Sequence, residues 1–410
     1  MRCQNDDAAA VSMPPYNSIH DDSHLLAQDA AASPTSSPKP IVETKKVRVV
    51  CLDVFRGLTI FTMIFVNLGG GGLEPFNHVG WNGLMPADCV FPCFAWIMGV
   101  TMNIGMASHA KKGTAPWKIL LDSFIRSIKL FLLGLVVNDF RNLKTGRITG
   151  VLQSFGFAFF TVTLAVVLGL YCKSESRPWQ HRAVEGFFMA AIVTVNLLLT
   201  FCLPVPDCPT GYLGDDIDGC SGGAHYYIDI NLFGKDHMYG GGGGNDPEGF
   251  LNWLMVAFMA YIGYVVGGFF LDAKAWTTKA AVLGGSGVVM LLAGLGLAGF
   301  QIDDGPIPIN KNLWSLSFVL TVSGIACLVL DLLYVVVDKV GFWKGTPFMQ
   351  AGMNAIALYV GHEVMGGHVP FGWDRDGDSK TQNTLSNLGG AICWVLIAMW
   401  MHQKKIFITV

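Results

Sequence analysis

Long apolar runs recur along the chain, separated by short stretches that are polar or rich in glycine. A helix needs about 20 mostly apolar residues to cross the hydrocarbon core of a bilayer. Runs of this kind occupy 48–69, 87–107, 119–138, 149–171, 184–203, 249–271, 280–300, 313–337, 347–367 and 386–402. The pattern predicts an all-α fold, a polytopic transmembrane helical bundle of about ten spans, with no room for a sizeable soluble enzyme domain.

The composition supports a membrane protein whose main surroundings are the lipid bilayer. Hydrophobic residues make up 52% of the 410 residues and charged residues only 14%, whereas a soluble domain has about 25% charged residues. The formal net charge of −3 gives no basis for binding nucleic acid. We therefore expect lipid-facing helices and no nucleic-acid partner.

The first 45 residues differ from the rest, because they are rich in Ala, Ser, Asp and Pro and contain no apolar core of signal-peptide length. Such a segment cannot bury enough apolar surface to fold, so we predict a disordered cytosolic tail over 1–45 and a membrane domain over 46–410. We predict no cleaved signal, with the first span acting as the targeting segment. The stretch at 21–26 matches the acidic dileucine pattern of lysosomal sorting signals.

The distribution of lysine and arginine predicts the orientation, since cytosolic loops of membrane proteins are enriched in both residues. With the N-terminus in the cytosol, the cytosolic connections hold roughly twice as many basic residues as the opposite side, and an even number of spans places the C-terminus in the cytosol too. The acidic, glycine-rich loop at 204–248 then lies in the lumen. Its two cysteines, Cys208 and Cys220, could form a disulfide in an oxidising compartment.

Polar residues at one end of the first two spans are the strongest candidates for chemistry. Asn67 ends the first run, Gly69–Gly72 follow, and His78 and Asp88 precede the second run. All of them are therefore expected at one membrane face. A histidine oriented by a carboxylate is a general-base arrangement, although the spacing alone also fits an ordinary loop histidine at the membrane interface.

Two further pairs of polar residues fit structural roles. Asp53 and Arg56 stand three residues apart, which favours an ion pair on one face of the first helix. His362 and Glu363 are adjacent in the ninth run, so we expect them to face different sides of a helix and to form packing hydrogen bonds.

Arg126 and Lys129 form a basic cluster on the third span. Basic side chains at this depth either pair with acidic neighbours, here Asp122 and Asp139, or bind anionic phosphates. The sequence favours pairing, and it leaves phosphate binding open.

Several stretches resemble the heparan-α-glucosaminide N-acetyltransferase family, in the right order from about residue 46 to the C-terminus. These stretches are Asp53–Gly57, His78–Leu84, Asp207–Gly214, Asp246–Gly249, Asn310–Ser317, Gly352–Asn354, Tyr359–Val364 and Lys404–Phe407. In that family a lumenal domain and an extra span precede the region that matches. The resemblance implies a lysosomal, multi-pass membrane enzyme.

The resemblance also implies a reaction, in which acetyl-CoA in the cytosol is the cosubstrate. Its acetyl group goes to the terminal glucosamine amine of heparan sulfate in the lysosomal lumen. The family's essential histidine corresponds to His78, in the motif His-x-x-Trp-Asn-Gly-Leu, and a family asparagine corresponds to Asn67. We expect Asp88 to orient His78, and Asn67 to hydrogen-bond the acetyl carbonyl.

A cytosolic donor needs basic residues for the phosphates of CoA. Arg126, Lys129 and Arg56 are the candidates, no metal is implied, and a homodimer is a possible assembly. One departure from the family concerns Ser154, because the family usually has arginine at the corresponding place in the stretch Arg147–Ser154. If that arginine contacts CoA, the donor affinity of this chain differs.

Three alternatives to this function stay open. A membrane transporter also fits polar residues within spans and a helix break at Gly69–Gly72, although the chain shows no internal repeat. A related membrane acyltransferase with a different acceptor fits as well, and so does an inactive truncated homologue. Within the acetyltransferase hypothesis, His78 either carries the acetyl group or acts only as a base in a direct transfer.

Overall fold

The computed structural model describes residues 48–138, 142, 144–172, 177, 179–301, 305–366, 368–371 and 379–408. The predicted tail at 1–45 and its dileucine pattern lie outside these residues. Within them the chain forms helices and turns and no β-strand, which confirms the all-α prediction. The helices are α1 (Val50–Asn67), α2 (Val90–Lys111), α3 (Pro116–Val137), α4 (Val151–Tyr171), α5 (Gln180–Cys202), α6 (Ala224–Phe233), α7 (Phe250–Asp272), α8 (Trp276–Leu297), α9 (Leu316–Leu333), α10 (Phe348–Met353), α11 (Ala355–Met365) and α12 (Lys380–Gln403).

All ten predicted runs are helical, and eight of them have the length and apolar composition of a membrane span. In two of the eight the helix is extended, by a 3₁₀ turn at Pro86–Cys89 before α2 and by a π-helical turn at Tyr334–Lys339 after α9. The third run, α3, is long enough to cross a bilayer but carries four charged residues. The molecule is therefore a polytopic helical membrane protein.

The ninth predicted run is two helices instead of one, because α10 ends at Met353 and α11 begins at Ala355. Asn354 between them has φ −122° and ψ 28°, outside the helical region. Its amide nitrogen donates to the Ile406 carbonyl at 3.1 Å, and its amide oxygen accepts from the Ile408 N–H at 3.0 Å. The break is thus stabilised by the segment that follows α12.

Two pairs of glycines bring helix backbones into direct contact in the core. A Cβ atom on Gly57 would lie 1.8 Å from a carbonyl oxygen of α10, and one on Gly352 would lie 1.9 Å from a carbonyl oxygen of α1. Gly99 of α2 and Gly263 of α7 pack in the same way. A Cβ atom on Gly99 would lie 1.8 Å from a carbonyl oxygen of α7, and one on Gly263 would lie 2.1 Å from a carbonyl oxygen of α2. Small residues of this kind permit close packing between membrane helices.

Successive long helices run in alternating directions, so their connections gather at two ends of the bundle. Asp338 accepts a hydrogen bond from the Val50 N–H at 3.0 Å, and Ile406 contacts Asn354 just after α10. Both ends of the described chain therefore lie at one end of the bundle, which we call the terminal end. The α1–α2 connection and the long α5–α7 connection lie at the other end, which we call the loop end.

Candidate active site

The α1–α2 connection at the loop end folds back over the end of α1. The four glycines Gly69–Gly72 all have positive φ, between 59° and 112°, a conformation that glycine adopts without steric cost. The reversal packs the Phe76 ring against Phe65, with ring centroids 5.0 Å apart. It leaves His78 in the connection, ten residues before Asp88 at the entrance to α2.

His78 and Asp88 form the pair that the sequence predicted. His78 Nδ1 lies 2.7 Å from Asp88 Oδ1, and the His78 side chain is 49% exposed while that of Asp88 is 1% exposed. The other carboxylate oxygen, Oδ2, accepts from the N–H groups of Met85 at 3.1 Å and Val79 at 3.3 Å. Asp88 is therefore fixed by backbone hydrogen bonds and presents Oδ1 to the histidine.

Lys311, from the α8–α9 connection, is a neighbour of this pair that sequence reasoning missed. Its Nζ lies 2.9 Å from His78 Nδ1 and 3.4 Å from Asp88 Oδ1. A carboxylate accepts a proton held on Nδ1, whereas an ammonium group can donate only to a bare Nδ1. The two neighbours therefore favour opposite tautomers of His78. The only sequence signal for Lys311 was its place in the stretch Asn310–Ser317, which carried part of the family resemblance.

Asn67 contacts a different set of residues, on α11. Its Nδ2 lies 3.0 Å from His362 Nε2 and 3.0 Å from Glu363 Oε1. The prediction that His362 and Glu363 face different sides was wrong, because both side chains turn toward the end of α1 at the last turn of α11. His362 is buried, whereas the Glu363 side chain is 32% exposed.

A charged network in the neighbouring loops borders the His78 pair. Arg147 pairs with Glu248 and lies 3.4 Å from a carboxylate oxygen of Asp246, which is fully buried. Burial raises the pKa of Glu248, and the positive charge of Arg147 opposes this rise. Glu248 also interacts electrostatically with Lys311, so the network reaches the lysine beside His78.

The proposed donor-binding residues lie elsewhere, and one of them, Arg126, lines a cavity of about 200 Å³ between α2, α3 and α4. The cavity lies toward the terminal end and is lined by several methionines together with Arg126, whose guanidinium lies 4.3 Å from the centroid of the Phe159 ring. The charge of Arg126 interacts with that of Arg56. Lys129, one turn further along α3, is exposed. Arg126 and Arg56 are thus close enough for their charges to interact, and both lie away from His78.

The predicted ion pairs have mixed outcomes. Asp53 and Arg56 do pair, with 3.8 Å between carboxylate oxygen and guanidinium nitrogen. Arg126 and Asp122 both line the cavity, yet no ion pair joins them within the described part of the chain. Asp139, the other partner considered, lies outside the described residues.

The α5–α7 connection forms a folded cap at the loop end. Cys208 and Cys220 are joined by a disulfide, with their Cα atoms 5.7 Å apart. The Trp81 indole N–H donates to the Leu213 carbonyl at 2.8 Å, which ties this cap to the α1–α2 connection. The sequence predicted an acidic, glycine-rich loop here and missed the helix α6.

Comparison with known proteins identifies the class first: the chain is a helical membrane homologue of an N-acetyltransferase. No protein-family model matches it. The relatives are the human and mouse heparan-alpha-glucosaminide N-acetyltransferases. The chain is 37% identical to the human protein over 395 residues and 37% identical to the mouse protein over 398 residues, in each case 88% of this chain. The resemblance inferred from the motifs is therefore confirmed.

The match covers only part of each relative. The chain spans 59% of the length of the human relative and 60% of the mouse relative. The similarity thus concerns a little more than half of each relative.

Proposed function

We propose that this chain transfers the acetyl group of acetyl-CoA to the terminal glucosamine amine of heparan sulfate. The observation that carries the proposal is the His78–Asp88 pair, 2.7 Å apart, in a chain 37% identical to relatives named for N-acetyl transfer to this sugar. A half-exposed imidazole held by a buried carboxylate is the arrangement that a general base requires.

In the proposed step, Asp88 Oδ1 accepts the proton on Nδ1, which leaves Nε2 of His78 as the base. The amine nitrogen forms a bond to the acetyl carbonyl carbon while Nε2 takes up an amine proton. The thioester C–S bond then breaks, and the CoA sulfur leaves and receives that proton. We favour this direct transfer over an acetylated His78, because the geometry supplies a base without requiring a second acyl transfer.

We further propose that the donor enters from the terminal end, on the cytosolic side of the lysosomal membrane, while the acceptor meets His78 at the lumenal loop end. Arg126 and Arg56, with Lys129 nearby, are the basic groups proposed for the CoA phosphates. Ser154, where the family usually has arginine, is fully buried and donates to the Gly150 carbonyl at 3.0 Å. The proposed phosphate contacts therefore depend on the residues of α1 and α3.

The test is an acetyl-transfer assay with purified protein in proteoliposomes, acetyl-CoA and a panel of amino sugars. We expect CoA release that depends on glucosamine, with one N-acetylglucosamine formed for each CoA. Acetylation of another amine alone would point to a related acyltransferase with a different acceptor. Sugar uptake without CoA release would point to a transporter, and either result would contradict the proposal.

A further inference from the structure

The orientation of the Asn67 amide is determined by its two partners on α11. His362 Nδ1 lies 3.2 Å from the Leu358 carbonyl oxygen, which can only accept a hydrogen bond, so Nδ1 carries a proton and Nε2 of the neutral imidazole is the acceptor. The Glu363 carboxylate is also an acceptor. Both partners therefore require the amide nitrogen of Asn67, at 3.0 Å from each, and this assigns which side of the amide is nitrogen.

This assignment leaves Asn67 Oδ1 as the free atom of the amide. Both N–H groups of Asn67 are engaged, whereas Oδ1 has no protein partner within the described residues, and the residue is exposed at the loop end. An amide oxygen accepts hydrogen bonds and cannot donate them. The expectation that Asn67 donates to the acetyl carbonyl therefore conflicts with its partners in the structure.

We propose that Asn67 Oδ1 and the Glu363 carboxylate form the subsite for the amine of the acceptor, an inference that rests on and deepens the proposed function. A primary amine or ammonium group presents two or three N–H donors and needs acceptors of this kind. Glu363 supplies a negative charge that favours the ammonium form on binding, and this group releases one proton to solvent before the neutral amine enters the step proposed above. His362, which is 2% exposed at its side chain and contacts the Tyr359 ring, is a positioning residue that holds the Asn67 amide.

The subsite predicts a preference for an amine over a hydroxyl group. Glu363→Gln keeps an oxygen that can accept from Asn67 but removes the charge. We expect this variant to bind glucosamine about tenfold more weakly or worse, with the KM for acetyl-CoA and the binding of glucose unchanged. Glu363→Asp, which restores the charge, should recover part of the preference. Glu74→Gln, at an exposed position of the same loop end, is the matched control and should behave as the parent.

Equilibrium binding of glucosamine and glucose to the purified protein, without donor, separates this inference from the proposed function. If the parent prefers glucosamine and Glu363→Gln loses that preference, the subsite is supported even when no acetyl transfer is detected. A parent that does not discriminate the two sugars would overturn it. So would a Glu363→Gln protein with parental glucosamine binding, or one that loses glucose and acetyl-CoA binding to the same extent.

Discussion

Which nitrogen of His78 carries the proton decides what this side chain can do. With Asp88 as the partner of Nδ1, the proton sits on Nδ1 and Nε2 is free to act as a base. With Lys311 as the partner, Nδ1 accepts and the remaining proton moves to Nε2, which then has no lone pair with which to take a proton from the amine. Because both contacts are short, at 2.7 and 2.9 Å, the tautomer of His78 depends on Asp88 and on Lys311.

His78→Ala should lower turnover by at least about a hundredfold, because general-base catalysis contributes about 10²–10⁴-fold. The proposed donor-binding residues lie toward the opposite end of the bundle, so CoA affinity should stay near the parent value. Turnover and CoA affinity are measured in the same preparation. A variant that acetylates glucosamine at nearly the parental rate would remove His78 from the mechanism.

Asp88→Asn and Lys311→Met should have different effects on the same reaction. An asparagine can present its N–H to Nδ1 and stabilise the wrong tautomer, so turnover should fall by about 10² or more. Lys311→Met removes the competing donor, so turnover should stay within a few-fold of the parent, while the buried Asp88 loses a compensating charge and thermal stability falls. The opposite ranking of the two turnover numbers would contradict the assignment of Asp88 as the residue that sets the reactive tautomer.

Sequence reasoning found those site contacts that are close along the chain. The His78–Asp88 pair spans ten residues, and the Asp53–Arg56 pair spans three, so the members of each pair lie in one stretch of the sequence and could be considered together. Lys311 contacts His78 across 233 positions, and α11 contacts Asn67 across 295. No local sequence pattern indicates contacts between such distant positions, so these contacts became visible only in the folded structure.

At the scale of elements, α6 contains two buried ionisable residues whose pKa values are shifted in opposite directions. Burial lowers the pKa of His225 to about 4, and burial raises the pKa of Asp229 to about 8. His225 lies between Thr200 and Asn252, at 3.1 Å from each. Asp229 accepts from the Phe250 N–H at 2.8 Å, which caps the start of α7.

The signs of the two contributions to stability are opposite. Between about pH 4 and 6.5 the unfolded chain binds a proton at His225 that the folded cap does not, so this residue makes stability rise with pH. Between about pH 4 and 8 the folded cap keeps a proton on Asp229 that the unfolded chain releases, so stability falls as pH rises. The two effects oppose each other below about pH 6.5, and Asp229 acts alone above it.

Single substitutions should separate these contributions. Asp229→Asn should remove the loss of stability above about pH 6.5 and leave a rise between about pH 4 and 6.5. His225→Gln should leave a continuous fall from about pH 4 to 8. The measurement is the Tm of the purified protein across this range. An Asp229→Asn protein whose Tm keeps falling above pH 6.5 would contradict the assignment.

The positions of the long helices could be predicted because twenty apolar residues in a row leave few alternatives to a membrane helix. The break at Asn354 could not, since it depends on hydrogen bonds to the segment after α12. α6 was also missed, because a ten-residue helix among glycines and aspartates has no strong apolar period of its own.

At the scale of the whole molecule, the alternating helices place two groups of functional residues at opposite ends of the bundle. The basic residues proposed for the donor lie toward the terminal end, whereas the His78 pair and the disulfide-bonded cap lie at the loop end. The distribution of lysine and arginine along the sequence supports a cytosolic terminal end. The disulfide-bonded cap is found only at the loop end within the described residues.

This arrangement is tested with two epitope tags in sealed vesicles. One tag follows Val410, and the other is inserted at Gly219, where a Cβ atom would meet open space. We expect protease added from the cytosolic side to remove the first tag and spare the second. Cleavage of both tags would contradict the odd number of crossings, five, between the two tagged positions, and the reverse pattern would contradict only the orientation.

The backbone contacts between α1 and α10 and between α2 and α7 limit which inherited variants the protein can tolerate. At Gly57, Gly352, Gly99 and Gly263 even the single methyl group of alanine would occupy the place of a main-chain oxygen or of atoms beside it. A missense allele at one of these positions would force two helices apart, and cellular quality control would then remove the protein. Such alleles would resemble a deleted gene, although every residue of the proposed chemistry is still encoded.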